Sequence, residues 1–127
     1  MALILDTNAL SAFADGDEKL LHNINKEFEL AVPVVVLGEY LYGVHGSRFR
    51  LRYEEWLESN IALFEVLPIG RGTAQRYAEI RRELKAAGRP IPSNDVWIAA
   101  LAREHGFPLL SRDDHFRAVQ GLDLLTW

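Results

Sequence analysis

Short apolar runs separated by longer stretches of helical spacing recur along this chain, and that alternation constrains its fold more than any other feature. Ala2 to Leu5 reads as a buried strand, Leu30 to Val32 as a second, and Phe64 to Leu67 as a third that Pro68 ends. Leu109 and Leu110 form a fourth strand and Leu122 to Leu125 a fifth. Between them, Leu20 to Phe28 belongs to a helix, and Pro33 to Val44 turns helical. Arg48 to Asn60 is amphipathic, with Phe49, Tyr53, Trp56 and Leu57 at helical spacing. Thr73 to Ala87 is the clearest helix: Tyr77, Ile80 and Leu84 mark one face, Arg76, Arg81, Arg82 and Lys85 another, and Gly88 ends it. Ser93 is placed to cap a helix from Asn94 to Glu104, whose segment from Val96 to Leu101 is apolar nearly all round, as a buried helix should be. Such alternation implies an α/β domain with a mainly parallel sheet. No repeat, low-complexity tract or linker divides the chain, so residues 1–127 are expected to form one domain.

The chain has no cysteine, which excludes disulfides and thiolate zinc sites. The first apolar run lacks a basic leader and meets Asp6 within a few residues, and no later run approaches the roughly 20 apolar residues of a membrane span. A soluble, cytoplasmic protein is expected. The formal net charge of −4 argues against a broad electrostatic grip on nucleic acid. Four acids, Asp6, Glu39, Asp95 and Asp113, account for all of it, since −4 + 4 = 0 when bound cations neutralise them. Arginine outnumbers lysine eleven to three, and its planar fork suits phosphate or carboxylate. Nucleic acid remains open as a partner.

Those four acids lie inside or beside apolar runs, where a carboxylate must be satisfied locally or share a site with cations. Taken singly, three have ordinary explanations: Asp6 can cap a helix starting near Asn8, Asp95 lies in the first turn of its helix, and Asp113 or Asp114 can cap a final turn. Glu39 is harder to explain this way, because Val35, Val36, Tyr42 and Gly43, one turn away, are non-ionic. In open parallel sheets ligands bind beyond the carboxyl ends of the strands, where Asp6 and Asp113 stand, and the helices bearing Glu39 and Asp95 can direct their first turns to that edge. Two carboxylates ~4 Å apart repel by about 4 kcal/mol at an effective dielectric of 20. Several such pairs rival the ~5–15 kcal/mol stability of a domain. Divalent cations relieve that repulsion, and oxygen-only ligands favour magnesium, or manganese as a substitute, over zinc. One or two such ions activate water for in-line displacement at a phosphodiester, which is nuclease chemistry.

The ordered set Leu5-Asp6-Thr7-Asn8, Glu39 followed by Gly43, Tyr77-Ala78 leading to Leu84 and Gly88, Pro90-Ile91, Asp95 to Ala100, and Ser111-Arg112-Asp113 with Phe116 resembles the PIN domains, and among them the VapC toxins of toxin–antitoxin pairs. The resemblance runs through nearly the whole chain. It implies a five-stranded parallel sheet flanked by helices and a magnesium-dependent endoribonuclease that hydrolyses RNA by metal-activated water. It also implies a homodimer, and a small VapB-like antitoxin that inhibits by covering the site within a hetero-oligomer. By position, Asp6, Glu39, Asp95 and Asp113 match the family's catalytic, metal-binding acids, with Thr7, Asn8 and Ser111 as polar positions beside them. Ser111 stands where threonine is frequent and keeps the hydroxyl; His115 stands where another acid is common.

Other classes fit less well. His22, His45, His105 and His115 have no spacing of a paired imidazole ribonuclease site, although His115, near Asp113, is placed to orient a water or contact phosphate. Arg89, in the loop leading to Asp95, and Arg112, beside Asp113, are candidate RNA phosphate contacts; solvation or ion pairing explains them equally. A receiver domain needs a lysine near a late strand, but the last is Lys85; a haloacid-dehalogenase-like phosphatase needs aspartate where Asn8 stands. The alternative from another class is a non-enzymatic dimeric module whose acidic cleft receives a basic partner segment.

Overall fold

A computed structural model describes residues 1–24 and 28–127. Strands β1 (Ala2–Leu5), β2 (Glu29–Pro33), β3 (Phe64–Leu67), β4 (Leu109–Leu110) and β5 (Leu124–Leu125) form one sheet in the order β3-β2-β1-β4-β5. Every pairing is parallel, with Leu3 opposite Leu30, Leu5 opposite Leu110, Val32 opposite Val66 and Leu110 opposite Leu125. All four residues of β1 are buried, as expected of a central strand covered on both faces. The chain moves outward from β1 to β2 and β3, then returns to place β4 on the other side of β1. The order therefore reverses between β1 and β4, the place where open parallel sheets form a ligand-binding crevice beyond the carboxyl ends of the strands.

The helices are α1 (Thr7–Ala14), α2 (Glu18–Asn23), α3 (Val34–His45), α4 (Arg50–Asn60), α5 (Arg71–Ala86) and α6 (Ser93–His105). The core helix is α6: Val96, Ile98, Ala99, Ala100, Leu101 and Ala102 are all buried, as the nearly continuous apolar run predicts. Its C-terminus is set by Gly106, whose left-handed φ of 68° turns the chain toward β4. Against it lies α5, with Ile80 and Leu84 buried and Tyr77 stacked on Trp97 at 4.0 Å. Buried Thr73 locks the two helices together by accepting from the Gly70 amide at 3.1 Å and donating to Glu104 at 2.6 Å.

Several boundaries differ from the sequence reading. The helix expected from Leu20 to Phe28 is Glu18–Asn23, started by the Asp17 carboxylate accepting from the Lys19 and Leu20 amides; residues 25–27 lie outside the described residues. The fifth strand is Leu124–Leu125 rather than Leu122–Leu125, because only these residues find partners along the two-residue β4. Ser93 is the first residue of α6, not its cap; Pro92 occupies that place, where no side-chain bond is made. The amphipathic helix starts at Arg50, after Ser47 accepts from the Phe49 amide, so Phe49 is exposed while Tyr53, Trp56 and Leu57 pack partly against the core.

Core position should decide the response to truncation. Leu101→Ala, at a fully buried site, is expected to cost about 2–5 kcal/mol in urea unfolding. Leu51→Ala, at 76% exposure, should stay within about 0.5 kcal/mol of the parent.

Candidate active site

The carboxyl end of β1 delivers Asp6 directly into the crevice. Its backbone is extended and its side chain caps α1, with Oδ1 accepting from the Ala9 amide at 2.8 Å. Oδ2 accepts from the Ser111 hydroxyl, which arrives at the end of β4. Ser111 Oγ in turn accepts from the Asp113 amide at 2.9 Å, so one hydroxyl couples the loops after β1 and β4. Asp6 and Ser111 are both buried. Asp113 caps a 3-10 turn over Asp114–Ala118, its Oδ1 accepting from the His115 amide at 2.9 Å. Asp114 begins that turn but points into solvent, 3.4 Å from Arg117. Of the two caps considered, Asp113 is the one used.

Two helices supply the rest. α3 starts directly after β2, so Glu39 falls in its second turn, facing the crevice. Its Oε2 accepts from Thr7 Oγ1 at 2.9 Å and its Oε1 from Asn94 Nδ2 at 2.6 Å. Asp95, in the first turn of α6, meets His115: Nδ1 is 2.9 Å from Asp95 Oδ2 and 3.1 Å from Asp113 Oδ1. Asp95, Asp113 and His115 each offer one ligand atom within 4.8 Å of the others. Glu39, held by Thr7 and Asn94, and Asp6, held by Ala9 and Ser111, stand beside this trio rather than joining it.

Charge is crowded here. Burial pushes the Asp6 carboxyl above its ordinary value, against the Ser111 and Ala9 hydrogen bonds, and the charges of Asp113 and Asp95 add to the rise. Burial likewise raises Asp95; its bond to His115 opposes this, while Asp113 and Glu39 reinforce it. His115 is raised chiefly by its bond to Asp95, with further support from the Asp113, Asp95 and Asp114 charges. Oxygen donors held this close, with ionisation disfavoured by burial and by one another, suit a hard divalent cation. Asp95 and Asp113 are the residues that would hold it, with Asp6 behind them.

The PIN domain family matches residues 3–122 of the chain. The chain belongs to the PIN-domain family. It is 34% identical over 124 residues to the ribonuclease VapC5 of Mycobacterium tuberculosis, covering 93% of this chain and 87% of that one. Identity to the ribonuclease VapC1 of Rickettsia felis is 31% over 132 residues, covering 99% and 96%. The crystal structure of VapBC2 from Rickettsia felis bound to a promoter DNA fragment contains a chain that superposes with a TM-score of 0.90 at 26% identity, covering 100% of this chain and 99% of that one.

Within this PIN domain the other expected residues fall differently. Asn8 is exposed and makes no side-chain hydrogen bond among the described residues. Arg89 is exposed in its loop. Arg112 is committed elsewhere: Nε donates to the Trp127 carbonyl at 2.7 Å and the guanidinium lies 4.5 Å from the Trp127 ring centre. Sequence reasoning gave Asn94 no role in the site and set His115 near Asp113 without its bond to Asp95. Asn94 precedes Asp95 in the same helical turn, and that adjacency was the available signal.

The raised Asp6 value has a definite sign. A carboxyl whose folded value exceeds its unfolded value loses stability as pH rises through the folded value and loses nothing below the unfolded one. Asn at this position keeps the acceptor for Ala9. In chelator, Asp6→Asn should therefore melt at a higher temperature than the parent at pH 7, the gap closing toward zero as pH approaches 4. A gap that widens toward acid would contradict this account of the buried acid.

Proposed function

We propose that this PIN domain is a metal-dependent endoribonuclease, the toxin of a VapC-type toxin–antitoxin pair. The observation that carries the reading is the meeting of Asp95 and Asp113, backed by buried Asp6, at the sheet's reversal point. The likeness to two VapC ribonucleases along nearly the full chain supports it. No helix among the described residues is long and apolar enough to cross a membrane. VapB-like inhibition draws support from the similarity to a VapBC complex, and Tyr42 and Leu51, exposed on α3 and α4, are the kind of surface a protein partner or second copy covers.

A bound magnesium or manganese ion supplies Lewis acidity and neutralises charge on the phosphoryl oxygens. The residues supply placement. Ala9 and Ser111 fix Asp6, so the loops bearing Asp6 and Asp113 keep a common register. Thr7 and Asn94 hold both Glu39 oxygens, fixing that carboxylate beside Asp95. An RNA phosphodiester entering between them meets preorganised acids instead of mobile ones, so the reorganisation needed during hydrolysis is small.

Two adjacent residues test the assignment. On purified, partner-free protein with saturating magnesium, Asp113→Asn should lower single-stranded RNA cleavage on the order of 100-fold or more, since the change removes charge and preserves shape. Asp114→Asn, at a solvated side chain, should cost less than about 0.5 kcal/mol of stability and little activity. The reverse ranking would move the fourth acid to Asp114, retention of cleavage by both would remove Asp113 from the catalytic set, and absence of cleavage by the unaltered chain would remove the nuclease reading.

Metal binding has its own readout. Magnesium or manganese at 100 times Kd should stabilise the fold by about 2.7 kcal/mol, seen as a raised Tm. Asp6→Asn should weaken that response. An identical shift in the variant would place the ion away from Asp6.

A further inference from the structure

The side chain closest to both Asp95 and Asp113 is not an acid. His115 Nδ1 lies 2.9 Å from Asp95 Oδ2 and 3.1 Å from Asp113 Oδ1, and the ring is tethered through its own amide, which donates to Asp113 Oδ1 at 2.9 Å. Neighbouring ligands at right angles around an ion at about 2.1 Å stand about 3 Å apart. Both distances from Nδ1 match that edge. The three candidate ligand atoms all lie within 4.8 Å of one another. The ring side chain is half exposed, and Nε2 makes no hydrogen bond among the described residues, so it is free to carry the ring proton while Nδ1 presents its lone pair.

We propose that His115 is itself a ligand, giving the centre an O,O,N donor set that selects manganese(II) over magnesium. The inference rests on the metal-centre reading above and goes beyond it by naming the preferred ion and the residue that chooses it. Magnesium is small, dehydrates reluctantly and prefers carboxylate, carbonyl and water oxygen. Imidazole is a softer donor that suits first-row transition ions, of which manganese is the one also at home among carboxylates. Replacing one oxygen by nitrogen therefore strengthens manganese binding without a matching gain for magnesium. The same distances also fit an Nδ1–H shared between the two acids; an ion would then have to displace the ring, and the ring would not discriminate between ions.

Calorimetric titration of the chelator-stripped full chain with manganese chloride and magnesium chloride separates these cases. His115→Ala should weaken manganese binding about 10–100-fold while changing magnesium affinity less than about threefold. His115→Asp should bind magnesium at least as tightly as the unaltered chain and leave the manganese-to-magnesium preference reduced. Pulsed electron paramagnetic resonance of bound manganese should show coupling to a ring nitrogen in the unaltered chain, lost in His115→Ala. That measurement on the unaltered chain needs no variant to fold. Manganese binding without nitrogen coupling, or an unchanged ion preference in His115→Ala, overturns the role of His115 and leaves the acidic centre standing. Failure of both ions to bind the unaltered chain overturns the metal-centre reading and this inference with it.

Discussion

The buried carboxylate of Asp6 is the constraint on which the rest of the site depends. It sits at 4% exposure, the only charged side chain among the described residues that is fully buried. An isolated carboxylate there would be prohibitive, and it survives because each oxygen has a dedicated donor from a different element, the Ala9 amide of α1 and the Ser111 hydroxyl after β4. Its burial therefore fixes two things at once: the entry of the chain into α1 and the distance between the two central strand ends. A shorter or apolar side chain at residue 6 would free both.

The acids around it work against one another. The charges of Asp113 and Asp95 raise the cost of ionising Asp6, and those of Asp113 and Glu39 raise the cost of ionising Asp95. The fold accommodates this by surrounding the cleft with a dense apolar frame, β1 and α6 above all, and by placing neutral donors on the acids that face inward. Thr7, Asn94 and Ser111 carry no charge, so they orient the carboxylates while leaving their net charge available to a cation. Sites that hold like charges together in this way trade stability for chemistry.

Much of this was legible in the sequence, for physical reasons that differ by element. The run Val96 to Leu101 announces a buried helix because no solvated face interrupts it, and the four acids stand out because apolar surroundings make each one anomalous. Parallel pairing follows from strands separated by helices. The strand order does not, since it depends on which side of β1 the chain returns to after α6. Short edges were also hard to read: Leu122 to Leu125 is apolar enough for a strand, but its length is set by the two residues of β4 opposite it. The partnership of His115 with Asp95 escaped because it joins residues from two elements, with nothing local to mark it. Arg112 shows the converse, a cation beside a key acid in sequence whose side chain is held by Trp127 instead.

The same outer edge bears on how long the site stays assembled. The Ser111 amide donates to the Leu125 carbonyl at 2.9 Å, and Arg112 is fastened to the Trp127 carbonyl. The loop carrying Asp113 and His115 is thus clamped by the edge strand β5, whose two residues are only partly buried. Edge segments of this kind open locally far more often than the whole domain unfolds. Each time β5 lifts, Ser111 loses a backbone anchor while β1 and α6 stay folded, so the lifetime of the assembled cleft is governed by fraying at one sheet edge rather than by the global stability of the chain.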